Sequence, residues 1–216
     1  MIALEHARQM VTRYLLNADE SVVNVRPVGN TAVVDTDNWT WIVQRVPIPV
    51  TGRPLSSQWL IYDVSLDLFT DPGQHSEGFA LFTDGRILRL TEKGDLNEFW
   101  NLAGPSIEAG DLAALLTRYQ SDRPPAHIVQ NEADLDHVVG VTVARQATNV
   151  TPPQPTFDES GSLSALNFYT WYVATNPGGR ADTITVDNWQ VHVHKSGNLS
   201  WTVTTVAQDL PWAIGR

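Results

Sequence analysis

The 216-residue sequence contains no cysteine. Without thiols, the chain has neither a disulfide framework nor a thiolate metal site. Charged residues make up only 18% of the chain, and the 14 Lys and Arg are outnumbered by 24 Asp and Glu. Nucleic-acid binding depends on clusters of basic residues that contact phosphates. The net charge of −10 therefore argues against a nucleic-acid partner and fits a basic protein partner.

Long apolar runs are also missing from the sequence. A membrane-spanning helix needs roughly 18 or more consecutive apolar residues, and no segment approaches that length. A secretory signal needs a shorter apolar core near the N-terminus. Polar and charged residues interrupt that core at Glu5, His6, Arg8 and Arg13. The sequence therefore predicts a cytoplasmic protein with no membrane partner.

Motifs of enzymes and cofactor sites are absent as well. The sequence has no phosphate-binding glycine loop, and Ser160-Gly161-Ser162 lacks the pattern of a nucleophile elbow. We expect no cofactor. The sequence offers no support for catalysis and favours a binding role.

Apolar residues, at 42% of the chain, are enough for a sizeable core. Near the N-terminus they recur at helical spacing from Ile2 to Leu15, which predicts an amphipathic helix of about four turns. Further along, Asp84-Gly85 between two apolar runs predicts a β-hairpin. After Gly94 and again from Ser106 to Tyr119, apolar stripes predict two more helices.

The strongest strand signals lie near the C-terminus. Three β-rich segments separated by turn residues predict an antiparallel meander, namely Leu166–Val173, Thr183–His194 and Leu199–Val206. The first half of the chain has the same order, with the N-terminal helix followed by strand-like segments. A helix followed by a meander is therefore predicted twice. The sequence predicts an α+β fold of two units, 1–104 and 106–216, each with a helix packed on an antiparallel meander as in cystatin-like folds.

The middle segment of this meander changes its apolar parity. Ile184 and Val186 share one parity, whereas Trp189 and Val191 share the other. Because side chains alternate with a period of two in a strand, this change predicts a bulge or a tight bend at Asp187-Asn188.

An alternating segment from Trp59 to Leu68 predicts a strand with one solvated face. Leu60, Tyr62 and Val64 point one way, and Asp63, Ser65 and Asp67 point the other. Paired carboxylates can also act in acid–base catalysis or hold a cation. We interpret Asp63 and Asp67 as solvent-facing and as hypothetical binding contacts.

Aromatic residues occupy both faces of the segment from Phe168 to Tyr172. One face is expected in the core. The other face could be covered by a helix, pack on a second sheet or form a recognition surface. On the last interpretation, Tyr169 and Trp171 are hypothetical binding contacts.

His192 and His194 stand two residues apart on a predicted strand, so both side chains share one face. Two such histidines could supply metal ligands. A metal site needs a third and usually a fourth ligand, and the sequence places no companion cluster nearby. We interpret both as solvent-facing beside Gln190 and expect no metal.

The first half of the chain resembles the YrhB-like immunity proteins of bacterial polymorphic-toxin systems. The resemblance covers about residues 1–102 and is carried by four segments: the opening helix Met1–Leu15, the tryptophan-rich Asp37–Trp41, the strand and turn Phe79–Ile87, and the closing Thr91–Trp100. It implies a small helix-on-sheet fold without catalytic residues. It also implies a non-enzymatic role, which is to bind and block a toxin of the same or a neighbouring cell.

Three functions remain open from the sequence. The first is a cytoplasmic binding protein, most specifically an immunity-type inhibitor that acts through the solvated face of a sheet. The second is a small-molecule-binding or hydrolytic domain that uses the concave side of a curved sheet. The third is a structural or assembly module.

Overall fold

In the computed structural model, the described residues are 4–15, 19–46, 59–66, 76–104, 107–122, 126–131, 133–134, 149–174 and 182–211. The chain divides into two compact units, Met1–Phe99 and Trp100–Arg216. The fold is α+β, with one antiparallel sheet of six strands and another of five. The described helices, each of 11 residues, do not combine the length and apolar character that a membrane crossing requires.

The first unit is a helix packed on a meander in which every strand pairs with the next one along the chain. In order, its elements are α1 Leu4–Tyr14, β1 Val22–Val28, β2 Thr31–Thr36, β3 Thr40–Arg45, β4 Trp59–Leu66, β5 Ser76–Phe82, β6 Ile87–Arg89 and α2 Lys93–Ala103. The boundary between the two units falls inside α2. The hairpin predicted at Asp84-Gly85 joins β5 to β6, and Gly85 adopts a φ of +85° that favours glycine.

Helix α1 forms because its apolar residues lie on one side. Ala7, Met10 and Val11 are fully buried against the sheet, where they meet a cluster that includes Val43 and Phe79. Tyr14 anchors the end of the helix, since its hydroxyl donates to the carbonyl oxygen of Ile87 at 2.6 Å. The predicted amphipathic helix is confirmed.

The opposite face of this sheet is also covered. The ring of Phe99 on α2 lies 5.2 Å from the ring of Trp59 and 6.1 Å from that of Phe82, both edge-on. Asp63 points to the same side as Trp59 and is only 8% exposed. The solvated face expected at Asp63 is therefore wrong, because Asp63 is buried on the face of the sheet that Phe99 of α2 covers at Trp59 and Phe82. Asp67 lies outside the described residues.

The second unit contains α3 Ala109–Tyr119, β7 His127–Ile128, β8 Gln154–Phe157, β9 Leu163–Ala174, β10 Thr183–Val193 and β11 Leu199–Pro211. Its sheet runs in the order β11-β10-β9-β7, and β8 also pairs with β9. The three long strands form the predicted meander, and the turn between β10 and β11 places Gly197 at a φ of +85°.

Strand β10 contains no bulge against β9. Their register is continuous from Thr183 opposite Ala174 to His192 opposite Ala165. Of the bulge or bend expected at Asp187-Asn188, a bulge in β10 is wrong. The register with β11 does shift on both sides of Val186, but the extra residues lie in β11. The parity changes because β10 buries different faces at its two ends, with Ile184 on one face and Trp189 on the other.

Candidate functional site

A shallow groove of about 350 Å³ lies on one face of the second unit's sheet. We call it the amide groove. Its polar lining comes from three neighbouring strands: Gln154 and Thr156 of β8, Asn167 and Tyr169 of β9, and Asn188, Gln190 and His192 of β10. None of the described lining residues is Asp, Glu, Lys or Arg. As far as the described residues show, the lining is thus polar without a carboxylate or a permanent cation.

The strand register arranges these side chains in rows across the sheet. Asn167 of β9 stands opposite Gln154 on one side and Gln190 on the other, which makes a row of three carboxamides. A second row places Tyr169 opposite Asn188. Directly opposed side chains on one face lie about 4.5–5.5 Å apart at Cβ, so each row presents its polar groups close together.

Hydrogen bonds fix one part of this surface and leave the rest available. Asn188 is buried and donates its Nδ2 group to Oδ1 of Asn167 at 2.8 Å and to the carbonyl oxygen of Phe168 at 3.4 Å. Asn167 is thereby held in one orientation. In the described part of the chain, the Nδ2 group of Asn167 and the side chains of Gln154 and Gln190 form no hydrogen bond.

The same face of the sheet changes from groove to core along the strands. Next to the groove, Trp171, Ile184 and Val186 are buried in an apolar cluster with Val129 and Val150. Tyr169 is half-buried, packs against this cluster and also lines the groove. It therefore stands at the border between the core and the open surface.

Trp171 belongs to the core rather than to a recognition surface. It is 8% exposed, and its indole stacks on the imidazole of His127 with ring centroids 4.4 Å apart. Of the alternatives left open for this aromatic segment, a solvent-facing Trp171 is wrong, since β7 lies beside β9 and brings His127 over the indole. Tyr169 thus remains the one predicted contact that the described structure places at the groove.

The two histidines are both exposed, as expected. His192 lines the groove on β10, whereas His194 follows the strand and its ring nitrogen Nε2 lies 2.8 Å from the hydroxyl of Ser200. Among the described residues, no three His, Asp or Glu side chains come close enough together to hold a metal ion. The described residues therefore add no third ligand to the pair, and a metal site requires at least three.

The chemistry of the groove suits a neutral, hydrogen-bonding surface. A carboxamide offers both a donor and an acceptor, as a peptide group does, so a row of them can match the backbone of a partner. Tyr169 adds an aromatic body with a polar tip, the type of residue enriched at protein interfaces. The arrangement can bind a polar partner without forming an ion pair.

Sequence reasoning placed Gln190 and the histidines on the exposed side but missed the carboxamides at Asn167 and Asn188. The signal was present, because Asn167 and Tyr169 alternate with the apolar Leu166 and Phe168 in β9. Alternation alone did not show that β8 and β10 bring further polar residues to the same face.

In comparisons with known proteins, no protein-family model, no curated protein and no solved structure matches the chain.

Proposed function

We propose that this chain is a non-enzymatic binding protein whose contact surface is the amide groove. The observation that supports the proposal is the row Gln154, Asn167 and Gln190, three carboxamides set in register across neighbouring strands with donors left available. Tyr169 at the border of the groove supplies the aromatic contact.

The partner that we propose is a protein toxin. This chain would then be an immunity-type inhibitor of that toxin, acting in the bacterial cytoplasm. Two features support this choice: the resemblance of residues 1–102 to immunity proteins, and the net charge of −10. Because none of the described residues that line the groove is Asp, Glu, Lys or Arg, the acidic surplus acts at longer range by speeding the approach of a basic partner. The two units then serve as cystatin-like scaffolds, each a helix on a sheet.

The test compares one groove variant with a matched control in the same sheet. Gln190→Arg places a bulky charge in the groove, and Gln208→Arg places the same charge on exposed β11, outside the groove lining. Tagged wild type and both variants are used to capture partners from native lysate, and the captured proteins are identified by mass spectrometry. Thermal unfolding of each variant verifies that both remain folded.

We expect wild type and Gln208→Arg to recover one stoichiometric basic partner with nuclease-like or membrane-damaging activity, and Gln190→Arg to lose it. Co-expression should then show that wild type, but not Gln190→Arg, protects cells from that partner. Equal capture by the two variants would rule out the groove as the interface. Recovery of the bait alone from every lysate would count against an inhibitor.

A further inference from the structure

The first unit contains a second concave surface, unrelated to the amide groove. A cleft of about 610 Å³ lies beside the first half of α1, at the end of β4 and β5. We call it the α1 cleft. Its volume lies within the range of roughly 300–1,000 Å³ that is usual for small-molecule sites.

The α1 cleft has one apolar side and one polar side. Leu60 of β4 and Leu81 of β5 stand opposite each other in the sheet and supply apolar surface. Helix α1 contributes Glu5, His6 and Gln9. A cleft of this composition suits a ligand with an apolar body and a polar end.

His6 is held in place by a buried tyrosine. Its Nδ1 atom lies 3.2 Å from the hydroxyl of Tyr62, and the two rings meet edge to face with centroids 6.2 Å apart. Tyr62 is only 2% exposed, so it is fixed by the core. With Nδ1 engaged, Nε2 of His6 is the nitrogen left to contact a ligand.

Arg45 brings a positive charge to the same cleft. It ends β3, stands opposite Tyr62 in the β3–β4 register and is half-buried. The ion pairs of the described residues do not include Arg45. Glu5, the acid in the cleft lining, instead accepts a hydrogen bond from Nε2 of Gln9 at 3.2 Å.

A guanidinium beside apolar surface, with no ion pair to any described residue, selects for a particular kind of anion. The planar fork of arginine matches a carboxylate with two parallel hydrogen bonds. Glu5 on the helix wall disfavours a doubly charged group such as phosphate, because like charges repel. We propose that the α1 cleft binds a small monocarboxylate with an apolar body, its carboxylate on Arg45 and its body on Leu60 and Leu81.

The binding experiment uses the full chain, calorimetric titration and defined probes. Benzoate, indole-3-acetate and octanoate represent aromatic and aliphatic monocarboxylates, benzamide is the neutral counterpart of benzoate, and inorganic phosphate is the competing anion. We expect at least one carboxylate to bind with a dissociation constant of about 1 mM or tighter, and benzamide to bind about tenfold more weakly than benzoate.

Two arginine variants identify the contact. Arg45→Gln should weaken carboxylate binding about tenfold and remove the preference for benzoate over benzamide, because the bidentate contact is lost. Arg8→Gln removes the same charge from the exposed side of α1, outside the cleft lining, and should leave affinity unchanged. Thermal unfolding confirms that each variant is folded.

Three results would overturn the proposal: no carboxylate binding at about 10 mM, equal affinity in Arg45→Gln and wild type, or phosphate binding as tightly as the carboxylates. None of them bears on the amide groove, which lies in the other unit. Failure of the cleft and failure of the inhibitor role are therefore distinguishable.

Discussion

The indole N–H of Trp189 donates to Oγ1 of Thr170 at 3.0 Å, inside the core of the second unit. Both residues are nearly inaccessible, at 1% and 2% exposure, and the Trp189 ring stacks on Phe168 with centroids 5.4 Å apart. A buried tryptophan needs an acceptor for its N–H group, and here the neighbouring strand supplies it.

Thr170→Val should therefore destabilise the protein, although it keeps the shape of the side chain. The substitution leaves the buried Trp189 N–H without an acceptor, which costs about 1–3 kcal/mol. Urea unfolding measures the change. Thr202→Val on the exposed part of β11 makes the same chemical change and should stay within about 0.5 kcal/mol of wild type. Equal effects of both variants would contradict the role of the hydrogen bond.

Glu77 and Arg89 form an ion pair across the hairpin of the first unit. Arg89 donates two hydrogen bonds to the Glu77 carboxylate, at 2.6 and 3.0 Å, and Thr91 donates another. Burial by itself would raise the pKa of Glu77, but the hydrogen bonds from Arg89 and Thr91 and the charge of Arg89 outweigh it and lower the pKa below its ordinary value of 4.5. The contribution of Glu77 to stability is thus present above that value and is lost as the pH falls through the folded pKa.

Glu77→Gln should cost about 1 kcal/mol at neutral pH, since the pair is only partly exposed. The difference in the free energy of unfolding between wild type and Glu77→Gln should become smaller as the pH falls below 4.5. Chemical unfolding of both proteins across the acidic range measures it. A difference in the free energy of unfolding that stays constant with pH would show that the ionised carboxylate is not the stabilising species.

Asp111, in the first turn of α3, has its pKa shifted in the opposite direction to that of Glu77. It is 5% exposed, and its Oδ2 atom has no hydrogen-bond partner within the described residues. Burial, together with the nearby charge of Glu108, raises the pKa of Asp111 above its ordinary value of 3.8. Protonated Asp111 therefore contributes to the stability of the folded state below pH 3.8. This contribution is lost as the pH rises through the pKa of Asp111 in the folded protein.

Asp111→Asn should raise the melting temperature at pH 7, because the neutral amide avoids the burial of a charge. The advantage should disappear on acidification, where wild-type Asp111 becomes neutral too. Differential scanning calorimetry at neutral and acidic pH measures both. Glu108→Gln should give a smaller rise at pH 7, since it removes only the repulsion. A lower melting temperature for Asp111→Asn at pH 7 would refute the assignment.

Trp171 and Tyr169 differ in what their substitution should change. Trp171→Ala removes a core side chain and should cost about 3–5 kcal/mol. Tyr169→Phe keeps the ring that packs on the core and removes the hydroxyl, so stability should stay within about 0.5 kcal/mol while partner capture weakens. Urea unfolding and the capture assay measure the two effects. Full capture by a stable Tyr169→Phe variant would remove the hydroxyl from the proposed contact.

Much of the fold could be predicted because local patterns determine it. The spacing of apolar residues identified α1, the Asp84-Gly85 pair identified a hairpin, and β-branched and aromatic runs identified β9 to β11. These signals depend on residues near one another in the chain. They do not require knowledge of what packs against each element.

The predictions that were wrong concern what covers each face. Asp63 belongs to an alternating strand, yet α2 brings Phe99 over the same side, and His127 reaches Trp171 from a strand of two residues. Likewise, alternation in β9 alone did not show that β8 and β10 align their carboxamides with Asn167. Coverage and alignment arise from residues distant in sequence, which a local pattern does not record.

The row of carboxamides has a consequence for how recognition could diversify. The backbone ladder fixes where Gln154, Asn167 and Gln190 stand, whatever side chain each position carries. Two of them, Gln154 and Gln190, are exposed, and the core of the unit does not depend on them. On the proposed binding role, exchange at these two positions would change which partner the surface fits while the scaffold stays constant, so they are the positions at which evolution or laboratory design would alter specificity.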